Sequence, residues 1–106
     1  MTFTFKSIDH IQLAAPKGSE ETARKFFKNI LGLNEVEKPE MLKGNGGVWF
    51  SYGNCHIHIG IEDPFLPAQK AHPAFEVNNC EALKNHLIAN GIDVTEDNRI
   101  PNAKRF

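Results

Sequence analysis

Residues 8–15 alternate, with Ile11 and Leu13 on one side and His10, Gln12 and Ala14 on the other, the period of a strand with one covered face. After a break at Pro16-Lys17-Gly18 the period lengthens. Ala23, Phe26, Phe27, Ile30 and Leu31 recur at helical spacing and predict one apolar helix face. Ser19 is placed to cap this helix, and Glu20 and Glu21 suit the positive end of its dipole. Gly32 can end it as a residue of positive φ, and residues 33–36 resume as a strand.

The same order returns later in the chain. Residues 72–77 alternate again, with Pro73, Phe75 and Val77 expected inward and His72, Ala74 and Glu76 outward. Asn78 with Glu81 three residues on predicts a capping box, Cys80, Leu83, Leu87 and Ile88 an apolar stripe, Gly91 a stop, and residues 92–94 a following strand. His10 lies 22 residues before Gly32 and His72 lies 19 before Gly91, a difference the longer loop at residues 16–19 absorbs. Histidine therefore occupies the same place in two copies of one unit. Between the copies, residues 47–52 and 55–61 alternate on either side of Gly53-Asn54 and read as a β-hairpin. Asp63-Pro64-Phe65-Leu66-Pro67 punctuates the join.

The expected architecture is α+β: tandem βαβββ modules in a single domain over residues 1–106. Module one covers about residues 7–62, a linker about 63–71, and module two about 72–106. Module two has room for strands near 93–97 and 104–106 but not for its last strand, which leaves an unpaired sheet edge.

Composition narrows the function. With 41% hydrophobic residues, no apolar run approaches the roughly 20 residues that span a bilayer. The first ten residues hold one Lys but no continuous apolar core or small-residue cleavage site, so no secretory signal is read there and a cytoplasmic location is expected. A net charge of −1 argues against nucleic acid as a partner, since that affinity comes from clustered Lys and Arg. Cys55 and Cys80 lack the spacing or density of a disulfide or zinc framework and read as reduced thiols.

What remains is histidine. His10 and His72 leave the helix-packed face of their strands. In the hairpin, Ile57, Ile59 and Ile61 form the core stripe while His56, His58, Gly60 and Glu62 face the other way. Neutral imidazole is the commonest side-chain ligand for Zn, Ni, Co and Fe(II), and groups from different strands can converge on one ion. Histidines on an uncovered sheet face can equally be polar residues meeting water, and it is their repetition that points to a site. Trp49, Phe50 and Tyr52 offer aromatic surface but, on an alternating strand, carry no assigned role.

The stretches DHIQLAAP, FFKNILGL, GGVWFSYGNCHIHIG and HPAFEVNNCEALKNHLIANGIDV resemble the vicinal oxygen chelate superfamily of glyoxalases, fosfomycin-resistance enzymes, bleomycin-resistance proteins and extradiol dioxygenases. The resemblance implies an open, cup-shaped mixed sheet with helices outside and a divalent metal inside, whether Zn, Ni, Co, Mn or Fe. It puts metal ligands at His10 and His72. At the fourth-strand position, where glyoxalase-like members carry Glu, this chain has His58, a candidate third ligand or catalytic proton carrier. His56 shares that face and could chelate with it or meet solvent. The remaining family ligand, a Glu in a last strand, has no counterpart in residues 1–106 and is expected from a further segment or another chain. Glu62 and Glu76 cannot replace it, since each lies about 13 Å along its strand from the nearest histidine, at about 3.3 Å per residue.

The implied function is a metal-dependent enzyme of lyase or isomerase type that binds a small substrate through two vicinal oxygens. The alternative is a non-catalytic small-molecule binding protein of the bleomycin-resistance kind. A homodimer is expected in either case.

Overall fold

Gly53 and Asn54 turn the chain through a two-residue hairpin between β3 (Val48–Tyr52) and β4 (Cys55–Ile61), in a computed structural model that describes residues 2–106. Tyr52 faces Cys55 across the turn and the antiparallel register runs back to Val48 and Ile59. β1 (Ile11–Ala15) lies parallel to β4 on its far side, and β2 (Asn34–Val36) lies antiparallel to β3. The result is an open, mixed four-stranded sheet in the order β1-β4-β3-β2, with the βαβββ sequence expected of module one.

Between β1 and β2 runs α1 (Glu20–Ala23), which continues without a break into a π-helical stretch, Arg24–Ile30. Its apolar face covers the sheet. Ala23, Val48, Phe50, Ile57 and Ile59 are buried together, with Ile11, Leu13 and Phe27 packed around them. Phe27 stacks on Phe50 at 5.4 Å between ring centroids. Ser19 stands at the helix start but its hydroxyl makes no capping bond. The start is fastened instead by Glu20, whose carboxylate accepts the Gly47 amide at 3.0 Å and is held below its usual pKa by that bond. Gly47 has φ +85°, and a Cβ there would come within 2.2 Å of the Ile59 carbonyl oxygen, so backbone meets backbone where β3 begins. Gly32 ends the helix at φ +79°, as its place in the sequence predicts.

A second compact unit comprises Ala74–Phe106. Its one regular element is α2 (Cys80–Ala89). The cap is Asn79 rather than Asn78: Asn79 takes φ 60° and its side chain accepts the Ala82 amide at 3.0 Å. Asparagine tolerates this left-handed conformation better than most residues, a tolerance that Asn78 and Asn79 share. Gly91 ends α2 in a Schellman arrangement, with the Ile92 amide donating to the Leu87 carbonyl and Gly91 to Ile88. Leu87 is buried, whereas Ile88, expected on the same stripe, is exposed.

The strands expected at residues 72–77, 92–97 and 104–106 do not form among the described residues. Alternation names the faces of a strand but supplies no ladder, and unpaired backbone N–H and C=O groups stay with water. Phe75 and Val77, expected inward, are 47% and 40% exposed. A single backbone bond, Asp97 N–H to the Arg105 carbonyl at 3.3 Å, draws two of these segments together. Arg99 and Arg105 flank the Asp97 carboxylate and hold it far below the usual range, chiefly through the Arg99 hydrogen bonds. Both cysteines are unpaired thiols, and no helix among the described residues is long and apolar enough to cross a membrane.

Candidate metal and substrate site

The sheet face away from α1 carries one row of side chains across all four strands. Gln12 on β1 is in register with His58 on β4, His58 with Trp49 on β3, and Trp49 with Val36 on β2. The row follows from the hairpin. With Tyr52 opposite Cys55, three residues back along β3 and three forward along β4 meet at Trp49 and His58.

The rings in this row stack. Trp49 lies 3.8 Å from His58 at an interplanar angle of 4°, and His10 covers the other face of His58 at 4.1 Å and 15°. His58, at 9% exposure, is thus an imidazole held between an indole and a second imidazole. Burial pushes its pKa down, and neighbouring His10 adds to the shift, so it is neutral and has a lone pair to offer near neutral pH. His10 stands at the open end of the stack with its side chain 41% exposed, and its Nδ1 is bonded to Asp9 Oδ2 at 2.9 Å. That bond lowers the Asp9 pKa, and Nε2 is the His10 nitrogen it leaves unengaged.

A hollow of about 550 Å³ opens over this row. His10, Gln12, His56 and His58 line it together with Val36, Leu42 and Trp49, and Asp9 lies beside His10. Gly60 makes room for Gln12: a Cβ at Gly60 would lie 2.7 Å from the Gln12 amide nitrogen.

Of the expected metal ligands, His10 and His58 come together and His72 does not join them. The His72 ring is bonded through Nδ1 to the Lys70 carbonyl at 2.9 Å and is absent from the lining of the hollow. Among the described residues no three His, Cys, Asp or Glu side chains are grouped to hold an ion. Glu62 is engaged in its own turn, accepting the Leu66 amide at 3.1 Å. The donors present suit a borderline divalent ion, being two imidazoles, one of them bonded to a carboxylate. Their stacking keeps the two lone pairs in nearly parallel planes, so sharing one ion at bonds of about 2.1 Å requires one ring to turn. His58 is clamped by Trp49, and the ring at the open end is His10.

Trp49 and Asp9 are the residues that sequence reasoning left unassigned. The signal for Trp49 was the hairpin register. The signal for Asp9 was its place next to a histidine, which many exposed acids share without consequence.

No family model and no curated protein matches the chain by sequence. Among solved structures, a glyoxalase family protein from Bacillus anthracis superposes with a TM-score of 0.90 at 48% identity, over 96% of this chain and 84% of that one. A variant of the fosfomycin resistance protein FosX from Listeria monocytogenes, complexed with Mn(II) and 1S,2S-dihydroxypropylphosphonic acid, has a TM-score of 0.64 at 20% identity over 92% and 79% of the two chains. Lactoylglutathione lyase from Agrobacterium tumefaciens has a TM-score of 0.54 at 19% identity over 92% and 81%. The last two bear on the fold alone.

Proposed function

We propose, on the premise that this chain belongs to the glyoxalase family, that it is a divalent-metal-dependent enzyme of lyase or isomerase type acting on a small substrate held by two neighbouring oxygens. The observation that carries this reading is the pair His10 and His58, one imidazole just before β1 and one on β4, in contact at the head of one hollow. Mn(II) in the FosX neighbour supports a metal of this class, with Zn, Ni, Co and Fe as the other candidates.

His10 would offer Nε2 to the ion, its ring turning off His58 while Asp9 holds Nδ1. His58 offers a second nitrogen, or holds and moves a proton at that nitrogen, a role that its neutral state and clamped ring both favour. When bound, the ion would supply Lewis acidity to the substrate's paired oxygens. Gln12 presents an amide beside them, and the Trp49 side of the hollow excludes water from the reacting carbon. Incubation of the metal-loaded protein with hemithioacetals and α-dicarbonyls should give turnover that a chelator abolishes and added metal restores. Turnover that survives complete removal of the metal contradicts the reading. Ligand binding without turnover in the loaded protein points to a binding protein instead.

In this reading His72 is a third donor, and it reaches the ion from a second copy of the chain in a homodimer. The exposed side chains of Phe3, Phe5 and Ile8 just before β1, and the unpaired outer edges of β1 and β2, support such an assembly. Sedimentation at micromolar concentration should return the mass of two chains. A monomer under those conditions removes the homodimer and, with it, the route for His72.

A further inference from the structure

The four-strand row is graded. From β1 to β2 it reads amide, imidazole, indole, isopropyl: Gln12, His58, Trp49, Val36. The amide and imidazole groups lie toward the β1 side, the indole carries a single N–H donor, and Leu42 adds apolar surface to the lining. Charge along the hollow is as uneven as polarity. Its lining contains one carboxylate, Asp9, and neither Lys nor Arg. Lys38, the cation whose field reaches His58, donates its ammonium to the Gly46 carbonyl and does not line the hollow.

From this arrangement the geometry points to a substrate class: an uncharged α-hydroxycarbonyl or α-dicarbonyl compound whose body is aromatic or branched apolar, lying with its oxygens at His10 and Gln12 and its body along Trp49, Val36 and Leu42. The inference rests on the reading of this hollow as the substrate site. Phosphonates and phosphates are disfavoured by charge. Such dianions are recognised by Arg, Lys or clustered backbone N–H groups, and beyond the ion itself the lining offers no Lys or Arg, while the Asp9 carboxylate repels them. Small polar compounds that share the oxygen pair but lack a body would leave the apolar end in contact with water and gain nothing from it. The neutral Gln12 amide, a donor and an acceptor together, suits a hydroxyl or carbonyl better than an anion.

Three probes with vicinal oxygens separate these cases: 2-hydroxyacetophenone, which has the ring; hydroxyacetone, which lacks it; and 1S,2S-dihydroxypropylphosphonic acid, which carries the charge. Binding to the full chain, with and without Mn(II), is followed by calorimetry. The fluorescence of Trp49, the chain's single tryptophan, serves as a local reporter. The expected order puts 2-hydroxyacetophenone at least tenfold tighter than either competitor, with the Trp49 signal moving on binding. Leu42→Asp, on an exposed helical turn outside the sheet, should erase most of that preference, weakening 2-hydroxyacetophenone far more than hydroxyacetone. A phosphonate that binds as tightly as the ketone, or a preference untouched by Leu42→Asp, overturns the assignment. Mn(II) uptake is measured on the same samples. Its failure would count against the metal reading, while the preference for the ketone stays measurable on the metal-free protein.

Discussion

Replacing Phe50 with alanine costs about 3–5 kcal/mol, the range for emptying a fully buried phenylalanine site, and lowers the melting temperature by about 15 °C or more. Phe50 has no exposed surface, stacks on Phe27 from the helix, and sits among Val48, Ile57 and Ile59 where the sheet and helix meet. Removing its ring leaves a void between two elements that the β-ladder holds in place, so collapse around it is incomplete and the cavity cost stays high. Domains of this size are commonly stable by about 5–15 kcal/mol, so the variant loses a large share of its margin. Tyr52, two residues further along the same strand but 65% exposed, provides the control: its alanine variant should stay within about 0.5 kcal/mol of the parent. Thermal unfolding followed by circular dichroism reads both. Equal melting temperatures for the two variants would mean that Phe50 is not at the centre of the core.

The second large effect falls on the site. His10→Ala should reduce affinity for the bound divalent ion at least about 100-fold, since loss of a direct ligand exceeds the roughly 10–100-fold cost of losing a partner that only orients one. His10 is well exposed and outside the core, so the fold should survive the change. Asp9→Asn keeps the shape but weakens the hold on His10 Nδ1, and its loss should stay within that smaller range. Calorimetric titration of the apo proteins with Mn(II) separates the three proteins. Wild-type affinity retained by His10→Ala would place the ion elsewhere in the molecule.

How much of this was legible in the sequence depends on how local its cause is. Gly53-Asn54 between alternating runs fixes a hairpin, and a hairpin fixes register, so the meeting of Trp49 with His58 was already implicit. Gly32 and Gly91 could be read as helix stops because few other residues take positive φ without strain. The α2 cap moved one residue because two adjacent asparagines compete for it and the sequence contains no term to choose between them. The expected strands of module two are a different case. Residues 72–77 alternate as cleanly as β1, but β1 has β4 beside it and residues 72–77 have no strand beside them among the described residues. Pairing is a property of two segments, and a sequence pattern describes only one of them. For the same reason the duplicated histidine pattern did not bring His10 to His72. Convergence came instead from His10, just before β1, and His58, on the parallel neighbour β4.

The central claim is that His10 and His58 serve one divalent ion at the head of the hollow. Pulsed electron paramagnetic resonance of the Mn(II)-loaded protein tests it most directly, through hyperfine coupling to imidazole nitrogen. The prediction is one ion per chain with at least two coupled imidazole nitrogens, reduced by one in His10→Ala and by one in His58→Gln. A nitrogen signature that neither substitution changes, or a bound ion with no imidazole coupling, would contradict it.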